Sequence, residues 1–308
     1  MSLAIILLNW RNAQETLRCV HSISAWAELR PQFYVVDNES TPATSATLGS
    51  ALSPDSLICS PLNLGYAGGN NLAIRRALAH ECEYILLLNS DAEIAEAAVQ
   101  RLLATLKGNP QIAILGPLIK ETCDGRALLL AGGRDIARYR FTRNAVQPQE
   151  LGGLPDFPLH EVDYVSGTVF MTRATLFKEV GLLDEEYFFS GEIADFCKRA
   201  RDKGHRIYVD LQAEARHDPG QASPELRQTL YTYYSWRNRF LYVRKRCAQE
   251  KMKFISRWTT LGVLAIGRAL CRGEMAKARA IALALRHAHA GRYGNQNASF
   301  LRRGGSQK

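Results

Sequence analysis

Short apolar runs recur along the first 115 residues, at 3–8, 33–36, 57–58, 84–88 and 112–115, and each reads as a strand. Helical patterns lie between them. Asn12 with Glu15 three residues on is a capping pair that opens a helix running through Ala25. Further helices are predicted at 70–80 and 96–107. Short, uniformly apolar strands alternating with helices indicate an α/β chain whose mostly parallel sheet is buried on both faces.

From Gly116 to Pro158 the pattern loosens around Gly132-Gly133, Gly152-Gly153 and several prolines, and predicts an irregular excursion from the sheet. Order resumes at 162–171. Helices at 174–180 and 192–203 and a short strand at 206–209 follow. Beyond Ser223 the chain reads as helical, at 224–247, 254–272 and 275–289, with the last 18 residues frayed. The expected division is an α/β unit at 1–222 and a helical extension at 223–308.

Composition narrows the class. A hydrophobic fraction of 46% with 22% charged residues excludes disordered, collagen-like and disulfide-scaffold chains. The seven cysteines form no CxxC pair, which reads as free thiols in a reducing, cytoplasmic compartment. Residues 3–8 have no basic flank and are not expected to be a signal peptide, and no run is long and apolar enough to span a bilayer. Charge is split unevenly. Residues 1–226 hold 21 Lys+Arg against 28 Asp+Glu, a balance of −7; residues 227–308 hold 18 against 2, a balance of +16. The basic part calls for a polyanionic partner.

In an open parallel sheet, ligands bind at the carboxyl ends of the strands. Polar residues terminate three of the runs here: Asn9-Trp10-Arg11, Asp37-Asn38-Glu39-Ser40 and Asn89-Ser90-Asp91. Asp and Asn also favour turns and caps, but three such ends would converge on one site. The segment Asn63-Leu64-Gly65-Tyr66-Ala67-Gly68-Gly69-Asn70-Asn71 precedes a helix, where glycines allow close approach of a ligand and the helix start favours an anion. It is neither GxGxxG nor a P-loop.

Taken in order, these motifs resemble the family-two glycosyltransferases. The similarity continues through Val165-Ser166-Gly167, 180–185, Asp195-Phe196-Cys197-Lys198-Arg199-Ala200, His217 and 234–239, and is nearest the rhamnosyltransferase-like enzymes of bacterial surface polysaccharide synthesis. The resemblance implies a GT-A fold, a nucleotide-diphosphate sugar donor and transfer with inversion, with 1–222 as the catalytic unit, about 1–115 its donor-binding half and about 160–222 its acceptor side. By position it assigns Asn9, Asp37, Asn38, Gly65, Asn70, Asn89, Asp91 and Gly167 to the donor site. Asn89-Ser90-Asp91 occupies the place of a DxD motif, so Asp91, assisted by His217, would hold Mg²⁺ or Mn²⁺ against the diphosphate. Asn89 stands where an Asp is usual, which excludes ligation by two aspartates. His217 could equally be a structural histidine.

An inverting displacement needs a carboxylate to take the acceptor's proton. In Ser190-Gly191-Glu192-Ile193-Ala194-Asp195 the usual middle Asp is Ile193, leaving Glu192 and Asp195 as the catalytic carboxylates. Either could instead complement a helix dipole. Asp195 is spaced to pair with Arg199, so Glu192 is the preferred base.

On a single helical wheel through 254–289, Arg257, Arg268, Arg272, Arg279 and Arg286 fall within about 60° of one another, beside an apolar face. That composition suits a helix lying on the inner face of a cell membrane, or else a solvated face of an ordinary helical subdomain. No motif accompanies it for nucleic acid, which is excluded as a partner. His287 and His289 read as surface residues. The expected function is transfer of a hexose or deoxyhexose, rhamnose first, to a saccharide or lipid-linked acceptor. The alternatives are a nucleotidyltransferase, or a non-catalytic sugar-nucleotide sensor favoured by the broken motifs.

Overall fold

Along β1 (Leu3–Asn9), Leu3, Ile5 and Leu7 join one hydrophobic core while Ala4 and Ile6 join another, so the strand is covered on both faces. The computed structural model describes residues 2–123, 126–139, 145–146, 158–217 and 224–301. The chain continues through α1 (Ala13–Ser24), β2 (Gln32–Asn38), α2 (Pro42–Gly49), β3 (Leu57–Ser60), α3 (Gly65–Ala79), β4 (Tyr84–Asn89), β5 (Ala92–Ile94) and α4 (Glu96–Gly108). Then come β6 (Ile112–Cys123), β7 (Arg126–Leu130), β8 (Ala145–Val146), β9 (Leu159–Glu161), β10 (Val169–Arg173), α5 (Ala174–Val180), α6 (Glu192–Asp202) and β11 (Arg206–His217). Four helices close the chain: α7 (Pro224–Arg246), α8 (Lys251–Cys271), α9 (Met275–His289) and α10 (Ala298–Leu301).

The sheet runs in the order β3-β2-β1-β4-β10-β6-β11-β5. β1 is parallel to β2 and to β4, with Asn9 opposite Asp37 and Leu8 opposite Asn89. β10 is antiparallel to both β4 and β6, so the sheet is mixed. Because β2 and β4 flank β1 on opposite sides, the strand order reverses at β1, and a crevice opens at the carboxyl ends of β1 and β4. On one face α1 and α4 pack through Val20, Ile23, Val99 and Leu102. On the other, α3, α5 and α6 pack through Ile74, Phe177 and Phe196.

Several expectations need correction. The loosened stretch after Gly116 continues β6 to Cys123 and returns as β7; residues 140–144 and 147–157 lie outside the described residues. The strand expected at 206–209 extends to His217, across a register shift between Asp210 and Glu214. Asp210 is fully buried there because Arg101 pairs with it at 2.8 Å. α3 begins five residues before the expected helix. Gly65 sits at φ 71°, and a side chain there would collide with the Phe188 carbonyl.

At the far end, α8 stops at Cys271 and Gly273 follows at φ 71°, so the arginines beyond it do not share one wheel with Arg257 and Arg268. His287 is buried, not on the surface, with Nδ1 2.6 Å from the Tyr233 hydroxyl. The expected frayed tail is held as far as it is described, to Leu301; residues 302–308 lie outside the described residues. Tyr234 donates to Asn297 Oδ1 at 2.8 Å, and Arg237 to the Gly294 carbonyl at 2.6 Å. Six cysteines are free among the described residues.

Candidate active site

The end of β1 is a closed hydrogen-bond network. Asn9 donates to Asp37 Oδ1 at 2.7 Å and accepts from Thr16 Oγ1 at 3.1 Å, while Thr44 donates to Asp37 Oδ2 at 2.8 Å. Both Asn9 and Asp37 are fully buried. Asn38, at the end of β2, accepts from the Leu64 amide at 2.8 Å and donates to the Gly65 carbonyl at 3.2 Å. The Gly65 amide goes to Asn63 Oδ1 and the Tyr66 amide to the Phe188 carbonyl, each at under 3 Å. The first amides of α3 are thus engaged within the protein. Asn70 donates back to the Tyr66 carbonyl at 2.8 Å. Asn89 ends β4, its backbone amide donating to the Thr168 carbonyl at 2.8 Å.

Asp91 follows β4 in the crevice. Its Oδ2 accepts from Arg227 at 3.1 Å, and its Oδ1 lies 3.3 Å from His217 Nε2. That nitrogen is buried and makes no aligned hydrogen bond. Behind the ring, Nδ1 is 3.7 Å from Glu121 Oε1. Burial pushes the Asp91 carboxyl up, but His217 and Arg227 outweigh it and hold it below the usual carboxylate range. For His217 burial acts downward; Asp91 and Glu121 overcome it and raise the pKa to about 9. A cation fits this donor set once it displaces the proton that Asp91 and Glu121 otherwise hold on His217. Neighbouring ligands on an octahedral ion with ~2.1 Å bonds stand about 3 Å apart, and an orphaned imidazole nitrogen facing a carboxylate meets that spacing. Glu121 would orient the imidazole from behind. Among the described residues no group of three or more His, Cys, Asp and Glu encloses an ion, so diphosphate oxygens would have to complete the shell.

The carboxylates of α6 differ in character. Glu192 is its first residue, 5% exposed, and its Oε2 has no hydrogen-bond partner. Burial, with Asp195 adding to it, raises its pKa to about 7. The Tyr66 hydroxyl, near enough for Glu192 to raise its pKa, donates to the Gly167 carbonyl at 2.6 Å. Asp195 is fully buried and fully paired: Arg199 Nε at 2.8 Å, Arg246 Nε at 2.6 Å and the Tyr187 hydroxyl at 3.1 Å. Asp195→Asn should therefore cost about 3 kcal/mol, the typical result of stripping one partner from a buried pair. A denaturant midpoint unchanged from wild type would remove that structural role.

The turn before α6 is held from the C-terminal helices. Phe188, Ser190 and Gly191 all have positive φ, at 62°, 70° and 102°. Asn238 Nδ2, on α7, lies 2.8, 2.9 and 2.6 Å from the carbonyl oxygens of Tyr187, Phe189 and Ser190. Arg237 adds a 3.0 Å bond to the Tyr187 carbonyl. Arg227, Glu121, Thr44 and Asn238 were not foreseen. Only the 234–239 motif carried a signal for any of them.

A reversed strand order, a crevice carboxylate beside a histidine, and a second buried carboxylate on a neighbouring helix define a GT-A glycosyltransferase. The chain belongs to Glycosyl transferase family 2, whose pattern it matches over residues 2–180. It is 28% identical over 278 residues to the low-salt glycan biosynthesis hexosyltransferase Agl10 of Haloferax volcanii, covering 88% of this chain and 84% of that one. It is 22% identical over 241 residues to the N-acetylglucosaminyl-diphospho-decaprenol L-rhamnosyltransferase of Mycobacterium tuberculosis, covering 70% and 75%. Its fold is similar to that of the mannosyltransferase PcManGT from Pyrobaculum calidifontis, solved with GDP-Man and Mn²⁺, with a TM-score of 0.58 at 13% identity over 93% of this chain and 86% of that one.

Proposed function

We propose that the protein transfers a sugar, rhamnose in the first instance, from a nucleotide-diphosphate donor to a lipid-linked saccharide, with inversion, at the cytoplasmic face of a membrane. The observation that carries this reading is the division of labour between carboxylates: Asp91 ionised in the crevice, Glu192 buried with one oxygen unpartnered and a pKa near neutrality. Asp91 and His217 would hold a divalent cation, which when bound supplies charge neutralisation on the diphosphate oxygens. Arg227, already 3.1 Å from Asp91, would add positive charge on the same side. Glu192 would accept the proton of the acceptor hydroxyl, while Asp195, locked by two arginines and a tyrosine, fixes the start of α6. The relatives named as a hexosyltransferase and as a diphospho-decaprenol rhamnosyltransferase support the choice of donor and acceptor classes. Incubation with dTDP-rhamnose and a panel of other nucleotide sugars, with and without Mn²⁺, tests it. Binding without hydrolysis or transfer would mark a sensor instead.

Membrane attachment rests on α8. Among the described residues no helix is long and apolar enough to cross a bilayer. Val263, Leu264 and Leu270 are nonetheless 59%, 50% and 48% exposed, beside the exposed cations Arg257 and Arg268. Each basic residue at an anionic surface contributes about 1 kcal/mol, weakened by salt. The full-length chain should sediment with phosphatidylglycerol vesicles at low salt and be released by Val263→Asp with Leu264→Asp. Failure of the wild type to sediment would overturn attachment.

A further inference from the structure

A cleft of about 290 Å³ lies between α7 and the α8–α9 pair, outside the crevice. Four cations line it, Arg239, Arg268, Arg272 and Lys277, against a single carboxylate, Glu274. Glu274 is occupied by Lys277 at 2.7 Å, whereas among the described residues Arg268 and Arg272 have no carboxylate within ion-pair distance. Arg239 is 4% exposed and its guanidinium lies 3.9 Å from the ring centre of Trp258. The remaining wall is apolar, formed chiefly by Trp236, Trp258, Leu261 and Ala265. Such a lining suits an anion attached to hydrocarbon rather than a free, fully hydrated ion.

Two continuities orient that ligand. Arg268 and Arg272 also border a shallow groove with Val263, Leu264, Gly267 and Cys271, the exposed apolar side of α8. Tyr231 also lines the cleft, and its ring stands 6.3 Å from that of Phe189, edge to face, in the turn that leads to Glu192. The cleft thus shares Arg268 and Arg272 with the apolar outer groove of α8, and through Tyr231 its wall touches the turn that precedes Glu192.

The geometry points to this cleft as the site for the diphosphate of a prenyl-diphosphate-linked acceptor. The prenyl chain would lie along the outer groove of α8, the diphosphate on Arg268 and Arg272, and the saccharide past Tyr231 toward Glu192. The inference rests on the lipid-linked acceptor reading above, and it adds where that acceptor is held. Burial of hydrocarbon makes the chain, not only the charge, part of recognition.

Calorimetric titration of the full-length chain with farnesyl diphosphate, inorganic diphosphate and farnesol tests it. Farnesyl diphosphate should bind at least about tenfold more tightly than either fragment. Arg268→Gln with Arg272→Gln should weaken it by about tenfold or more while leaving affinity for the nucleotide donor unchanged. Ala265→Phe, which narrows the cleft and keeps every charge, should weaken it as well. Equal binding of inorganic diphosphate, competition by phosphatidylglycerol at equal strength, or unchanged affinity in both variants would overturn the assignment. Because the titration needs no turnover, an absence of sugar transfer by the wild type would sink the glycosyltransferase reading without altering this result.

Discussion

Glu192→Gln is expected to lower sugar transfer by about 10²–10⁴-fold, the usual cost of losing a general base, while donor affinity stays as in wild type. The substitution preserves shape and removes only the proton-accepting charge. Ile193 cannot take a proton, and Asp195 has both oxygens committed to Arg199, Arg246 and Tyr187. Glu192 keeps a buried oxygen with no partner. Its pKa of about 7 also fixes the sign of the pH dependence. A base acts as the carboxylate, so transfer should climb as pH rises through about 7 and level off above it. Stability should move the other way. A carboxyl with a raised pKa in the folded state favours folding below its unfolded pKa, and that contribution is lost as pH rises through 7. At pH 8 the Gln variant should then melt no lower than wild type. If Asp195→Asn abolishes transfer at unchanged stability while Glu192→Gln stays active, the roles are reversed.

Asp91→Ala should reduce turnover by about 10³-fold or more, since loss of several kcal/mol of transition-state charge stabilisation corresponds to a factor of ten per 1.36 kcal/mol. The carboxylate sits between His217 and Arg227, where it is the anionic ligand that would hold the cation against the diphosphate. EDTA should weaken donor binding to wild type and leave the already weakened variant unaffected. Full activity of wild type in EDTA would transfer the whole task of charge neutralisation to Arg227 and His217.

The crevice was legible because its makers sit at strand ends: Asn9, Asp37 and Asn89 each close an apolar run, and β1, β2 and β4 place them side by side. Helix α1 was legible for a similar reason, Asn12 accepting from the Glu15 amide at 3.3 Å as the capping pair implies. What escaped depends on distant partners. β11 hides behind Asp210, an acid that interrupts an apolar run until Arg101, far away in sequence, neutralises it. The N-cap of α3 is Leu64, which offers no capping side chain; the Tyr66 amide is instead met by the Phe188 carbonyl, more than a hundred residues later. His287 looks like a surface residue because its neighbours are Ala and Arg, yet Tyr233 draws it inside. Arg227 and Glu121 reach the crevice from other elements, and nothing in their local pattern announces it.

The three-carbonyl grip of Asn238 has a bearing on how such enzymes can be recombined. Its two N–H groups are shared among Tyr187, Phe189 and Ser190, and a side chain at Gly191 would press on its Cβ. A chimera that exchanges the C-terminal helices at the boundary near residue 223 would pair one parent's turn with the other parent's clamp. The proposed donor residues at the ends of β1, β2 and β4 would be inherited intact from the first parent. Proton abstraction would depend on both parents at once. Viable hybrids should therefore be those that move residues 185–191 together with 224–294 as one inherited block.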